Sequence, residues 1–203
     1  MTFAETQNLA QESSPASTPP VEEFVMRMFN GKVAALGLTI AIASAVTARA
    51  EELKVGDKAP AFSLQGTDGK TYSLDQFKDE KGIVIAWFPK ADTRGCTIEC
   101  KSLKEHGESL RPLGVAYFTA SVDTPEDNKK FAEKLDLDYP ILSDPTKSVA
   151  QAYGVVSERG FANRWTYYIG KDGTIKEIDK KINVATAGTD VAAKVKALGL
   201  NSK

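Results

Sequence analysis

Cys96 and Cys100 are the only cysteines in the 203-residue chain, and they stand in the segment W-F-P-K-A-D-T-R-G-C-T-I-E-C-K, residues 87–101. The run Ile83 to Phe88 before them has the length and β-branched content of a buried strand, and Pro89 ends it because proline has no N–H to give the ladder. A loop must follow. From about Thr93, the spacing of Cys96, Cys100, Leu103 and Leu110, with Lys and Glu between them, predicts a helix that begins close to Cys96 and runs to about Leu110. A thiol in the first turn of a helix faces N–H groups without helical acceptors and the positive end of the dipole, surroundings that favour a thiolate. Cys96 is thus placed as a nucleophile, against the commoner state of a free cysteine as a small buried hydrophobe. A bridge between residues four apart closes a very small loop and restricts the unfolded chain little. The pair therefore reads as a redox couple or a metal site rather than a structural disulfide.

Pro89, Thr93 and Cys96 together form P-x-x-x-T-x-x-C. This resembles the peroxidatic loop of the peroxiredoxins, and within them the bacterioferritin comigratory protein, or peroxiredoxin Q, branch of the AhpC/TSA family, whose members read roughly F-Y-P-K-x-x-T-x-G-C-T. The resemblance extends over about Gly56 to Leu198. It implies a thiol-dependent peroxidase that reduces hydrogen peroxide and organic hydroperoxides through a sulfenic acid on Cys96. Electrons would come from a thioredoxin-like protein or a small thiol, to a monomer or homodimer that needs no cofactor and no metal. Pro89 would shield the sulfur from water.

Thr93 reads from its residues alone either as a cap or turn residue or as a hydroxyl that accepts from the peroxide while donating to sulfur; the resemblance implies the second. A fixed cation beside the sulfur is best supplied by Arg, which stays charged and offers several donors in one plane. Arg164, before W-T-Y-Y-I and the turn Lys171-Asp172-Gly173, resembles the R-x-S/T-F-x-I-D-x-D-G segment of the family, whereas Arg94, Arg111 and Arg159 lack that context and are expected in solvent. Glu99 matches a Glu that orients the Arg in several peroxiredoxins, and on a helix it would equally suit a surface charge. Three departures stand out: Arg94 replaces a frequent Pro, Gly170 a usual Asp, and Cys100 follows Cys96 by four residues where the branch's resolving cysteine follows by five. Cys100 is still the expected resolving thiol, forming an intramolecular disulfide with Cys96.

Two other chemistries compete. C-x-x-x-C also resembles the copper site of Sco-type assembly proteins, in which two thiolates suit Cu(I) and a distant His completes the set; the only His here is His106, expected on the same helix and solvated. A thiol-disulfide oxidoreductase would carry C-x-x-C, which this chain lacks.

The elements that must position these residues follow in order. Ala61 to Leu64 and Lys70 to Leu74 flank Gly66-Thr67-Asp68-Gly69 as a hairpin, and Asp75 to Phe77 add a helical turn. Val115 to Ala120 is a second β-rich run. Thr124 as N-cap with Pro125 in the first helical position starts a helix that turns Phe131 and Leu135 inward and leaves Asn128, Lys129 and Lys130 in solvent. Tyr139 to Leu142 is a short strand and Ser148 to Tyr153 a short helix ended by Gly154. Trp165 to Ile169 and Thr174 to Ile178 form a hairpin about an Asp-Gly turn, and a last helix covers Asp190 to Leu198. This order implies an α/β sheet with parallel crossovers and an antiparallel edge, similar to the thioredoxin-like fold of peroxiredoxin type with an N-terminal hairpin extension.

Of 26 basic and 27 acidic residues, positions 1–50 hold Arg27, Lys32 and Arg49 against Glu5, Glu12, Glu22 and Glu23, so the remainder is balanced. With no basic cluster, neither nucleic acid nor anionic lipid is an expected partner. Residues 1–25 are polar without periodicity and are expected to be disordered or not translated. Residues 26–50 carry the three parts of a secretory signal peptide: Arg27 and Lys32, the uncharged stretch Val33 to Ala48, and Ala48-Arg49-Ala50 before a cut after Ala50. The stretch is shorter than the roughly 20 residues a spanning helix needs, so a periplasmic or otherwise exported domain of residues 51–203 is expected without stable membrane association.

Overall fold

The computed structural model describes residues 52–79 and 81–201. The expectations for residues 1–25, for the signal peptide and for its cleavage after Ala50 lie outside the described residues. Among these, no helix is long and apolar enough to cross a membrane.

Seven strands form one sheet in the order β2-β1-β5-β4-β3-β6-β7. They are β1 (Ser63–Gly66), β2 (Thr71–Ser73), β3 (Ile83–Trp87), β4 (Ala116–Ser121), β5 (Ile141–Ser143), β6 (Thr166–Ile169) and β7 (Ile175–Asp179). β3, β4 and β5 run parallel, and every other pairing is antiparallel. Parallel neighbours need crossovers, which α1 (Arg94–Glu105), α2 (Gly107–Leu110) and α3 (Pro125–Leu135) supply; α4 (Ser148–Ala152) and α5 (Ala187–Ala197) follow β5 and β7. The N-terminal hairpin β1-β2 extends one edge, with β1 pairing to β5.

The central strand β3 is buried at every residue because both of its faces are covered. Ile83, Ile85 and Trp87 join a cluster with Phe118, Leu142, Tyr153, Tyr167 and Ile169. Val84 and Ala86 point the other way, to Leu103, Val191 and Val195 of α1 and α5. Phe88 continues this second face and packs with Cys96, Cys100, Phe131, Leu135 and Ile141. Both cysteines are therefore part of the wall between α1, α3 and the sheet.

Thr124 caps α3 by accepting from the Asp127 N–H at 3.1 Å, with Pro125 in the first turn as expected. Four local readings need correction. The helix predicted to reach Leu110 breaks at His106, which caps α1 and opens α2. Asn128 is not solvated but wholly buried. Pro140 cannot donate to a ladder, so the strand predicted from Tyr139 begins at Ile141. The last helix starts three residues early, at Ala187. The last difference follows from packing: a Cβ on Gly188 would lie 2.2 Å from the Ser102 carbonyl oxygen. Only glycine lets α5 approach α1 that closely.

Candidate active site

At the end of β3 the Phe88 N–H still donates to the Ala120 carbonyl, at 2.9 Å. Pro89 then turns the chain into a short loop that reaches α1 at Thr93. Thr93 is the N-cap, with extended backbone, but its side chain makes no cap bond. Its hydroxyl instead donates to the Lys90 carbonyl at 3.0 Å. That corrects the expected donation to sulfur, and it has a useful consequence. An N-cap that does not cap leaves first-turn N–H groups free to meet an anion. Cys96 is the third residue of the helix and sits among those groups.

Arg164 comes to the same place from the other half of the chain. The Trp87 N–H donates to the Trp165 carbonyl at 2.9 Å, which fixes the backbone beside Arg164 against the end of β3. Arg164 Nη2 then donates to Cys96 Sγ at 3.3 Å, and Nη1 pairs with Glu99 Oε2. Gly95 makes room for this, since a Cβ there would stand 3.3 Å from Nη2. A charge-assisted donor aimed at sulfur stabilises the thiolate and any negative oxygen that replaces it. Arg94, Arg111 and Arg159 are exposed, as their contexts suggested.

Of the two readings open for Glu99, the buried one holds. Its side chain is 1% exposed, against 22% for Arg164. Burial pushes its carboxyl up to about 7, with the Arg164 charge and hydrogen bond pulling the other way. A cavity of about 20 Å³, room for one water, is lined by Glu99, Thr166, Asp179 and Asp190. Because the folded value lies above the ordinary 4.5, the linked stability is present below that value and lost as pH rises through about 7. Glu99→Gln should remove this dependence. Between about pH 5 and pH 8 the thermal midpoint of the wild type is expected to fall relative to that of Glu99→Gln. Parallel curves would show that the carboxyl is not displaced upward.

Cys100 lies one helical turn after Cys96, and both thiols are free and fully buried. Burial first, then the Glu99 charge, pushes the Cys100 thiol up to about 12. It is thus a neutral thiol in the closed structure, and a poor nucleophile there. The Tyr139 hydroxyl donates to the Cys100 carbonyl at 2.9 Å and holds this part of α1 against the sheet. His106 is half-buried, with Nδ1 2.9 Å from the Ser102 carbonyl. It stands ten positions beyond Cys96, roughly 15 Å along a helix, so it does not complete a copper set with the two thiols.

The structure therefore brings Pro89, Thr93, Cys96, Glu99, Cys100 and Arg164 to one end of β3, with Arg164 and Glu99 in direct contact around the sulfur. Two further residues touch the site without any motif having pointed to them. Tyr139 is one, and Asp123, whose carboxylate accepts from the Ala91 N–H at 2.8 Å, is the other. Asp123 follows a strand whose end meets the loop only in three dimensions, so no local spacing marks it.

The model of the AhpC/TSA family matches residues 55–178. A putative peroxiredoxin bcp of Haemophilus influenzae is 34% identical over 139 residues, covering 65% of this chain and 89% of its own. Peroxiredoxin Bcp of Escherichia coli is 35% identical over 133 residues, 62% of this chain and 85% of its own. Chloroplastic peroxiredoxin Q of Gentiana triflora is 30% identical over 168 residues, 82% and 68% respectively. Among solved structures, peroxidoxin BcpB from Mycobacterium tuberculosis matches with a TM-score of 0.65 at 25% identity, covering 71% of this chain and 97% of its own. Xylella fastidiosa PrxQ matches in fold with a TM-score of 0.68 at 20% identity, covering 73% and 99%.

Proposed function

Because the chain belongs to the AhpC/TSA family of peroxiredoxins, and is a thiol-dependent peroxidase with a thioredoxin-like fold, we propose that Cys96 is the thiol that meets the peroxide. The observation that carries this is the guanidinium of Arg164 3.3 Å from Cys96 Sγ, in the first turn of α1. The Cys96 thiolate attacks one oxygen of the O–O bond. That bond breaks, sulfur gains the oxygen as sulfenic acid, and the departing oxygen takes up a proton and leaves as water or an alcohol. Arg164 stabilises the negative charge at both ends of this transfer, and Glu99 holds Arg164 in position. The Thr93 hydroxyl has its hydrogen committed to Lys90 and so offers its lone pairs to the peroxide proton.

Hydrogen peroxide is the substrate that fits most readily, because Cys96 is fully buried and a small reactant needs the least opening. Organic hydroperoxides enter once the 89–93 loop yields. A thioredoxin-like protein or a small thiol then returns the enzyme to its reduced form.

Cys100 resolves the sulfenic acid in this reading: its thiol attacks Cys96 Sγ, the S–O bond breaks, water leaves and a disulfide forms. Residues four apart on a helix hold their Cβ atoms about 5–6 Å apart, whereas a disulfide needs about 3.5–4.5 Å. The first turns of α1 must therefore unwind, which also exposes Cys100 and removes the burial that suppresses its ionisation. A helix end beside a loop is where such opening costs least. Trypsin cuts after Arg94 and Lys101 and so releases both thiols in one peptide, Gly95 to Lys101. After one equivalent of peroxide, that peptide is expected to be lighter by two hydrogens. A sulfenic or sulfinic adduct on Cys96, with Cys100 still open to alkylation, would refute resolution by Cys100 and leave the reduction to an outside thiol.

A further inference from the structure

The loop between β3 and α1 is gripped by a chain of polar side chains that starts in the buried ends of β4 and β5. Ala91 is buried in the loop, and its N–H is satisfied by Asp123 Oδ2 at 2.8 Å. The next residue, Asp92, has φ of 59°, in the left-handed region that aspartate enters more readily than most side chains, and so turns the loop sharply just after this contact. Asp123 is itself held. Its N–H donates to Ser121 Oγ at 3.2 Å, Ser121 Oγ donates to Asn128 Oδ1 at 3.1 Å, and Asn128 Nδ2 donates to Ser143 Oγ at 2.9 Å.

Ser121, Asn128 and Ser143 are all buried, at the ends of β4 and β5 and on the face of α3 that otherwise carries Phe131, Ala132 and Leu135. An amide on such a face is tolerated only with its bonds made, and an apolar residue would make no such demand. This amide ties together the strand ends from which Asp123 projects. The Lys134 to Asp92 ion pair outside has both partners more than 60% exposed and adds little.

We propose that Asp123 is a positioning residue for peroxide reduction. It touches neither sulfur nor peroxide; its carboxylate sets the place of the segment from Pro89 to Thr93 over Cys96, and Ser121 and Asn128 set the place of Asp123. The inference rests on the reading of Cys96 as the thiol that meets the peroxide.

Two rates in the full chain test it: reduction of hydrogen peroxide, and alkylation of Cys96 by iodoacetamide, located by fragmenting the peptide of residues 95–101. Asp123→Ala frees the loop, so the peroxide kcat/KM is expected to fall by about tenfold to a hundredfold, the scale of a displacement of roughly 1 Å in a positioned group. Alkylation needs no aligned oxygens and is expected to match or exceed the wild-type rate, because a looser loop covers the sulfur less. Asp123→Asn keeps an oxygen acceptor for the Ala91 N–H and is expected to restore most of the peroxide rate. An unchanged peroxide rate in Asp123→Ala, an equal loss of both rates, or no recovery in Asp123→Asn would overturn the assignment. Should Asp123→Ala fail to fold by circular dichroism, Asp123→Leu, close to Asn in shape but without an acceptor, carries the same comparison. Cys96→Ser run alongside separates the two claims: turnover in that variant would remove the reading of the thiol, whereas an indifferent Asp123→Ala would remove only the clamp.

Discussion

Cys96→Ser is expected to lower peroxide turnover by about three orders of magnitude or more, the scale on which enzymes lose rate with their nucleophile. A hydroxyl beside Arg164 ionises far less readily than a thiol and is a weak nucleophile towards the O–O bond. The fold should survive. Serine nearly matches cysteine in volume, and its hydroxyl finds a donor in Arg164 Nη2, which now donates to the sulfur at 3.3 Å. Steady-state peroxide consumption with a thiol reductant, read beside a thermal melt, checks both halves. A folded Cys96→Ser protein with a rate near wild type would remove Cys96 from the chemistry.

Arg164→Ala carries the second largest effect, a fall in kcat/KM of about a hundredfold to a thousandfold, as when one preorganised donor to a developing charge is lost. The variant also strands Glu99. With its cation gone, the buried carboxyl loses the charge and the hydrogen bond that oppose the effect of burial, and it takes up a proton at neutral pH rather than remain a lone charge. Arg164→Ala with Glu99→Gln in one chain should therefore be no slower than Arg164→Ala alone, because Glu99 acts on the reaction through the guanidinium. Arg164→Lys should recover little, since the one nitrogen of an ammonium lacks the planar fork with which Nη1 and Nη2 reach Glu99 Oε2 and Cys96 Sγ separately. A rate for Arg164→Ala within about twofold of wild type, against the hundredfold expected, would exclude the guanidinium from the site.

The parts of this site that are legible in sequence are those written locally. Pro89 after an apolar run, Thr93 three residues before Cys96, and Thr124-Pro125 at the start of α3 each announce an element boundary through backbone chemistry, and each stands where expected. Arg164 is marked in the sequence by the segment that follows it rather than by its own neighbours. What spacing does not carry is the environment imposed by distant strands. Asn128 stands before two lysines and reads as solvated, yet Ser121 and Ser143 from two strands meet its amide. Glu99 reads equally as a surface charge until Arg164, 65 residues on, closes over it. The extra turn at the start of α5 reflects Gly188 fitting against Ser102, a contact between elements that local propensity cannot express.

The central claim is that peroxide oxygen arrives first on Cys96. It is tested most directly by trapping that oxygen in Cys100→Ser, where no second thiol can consume the sulfenic acid, with a 1,3-diketone such as dimedone present during the addition of one equivalent of hydrogen peroxide. The expected result is one adduct per chain, on Cys96 in the peptide of residues 95–101, with the peroxide consumed. Peroxide consumed without any adduct on Cys96, in a chain whose Cys96 thiol remains free to alkylate afterwards, would contradict it.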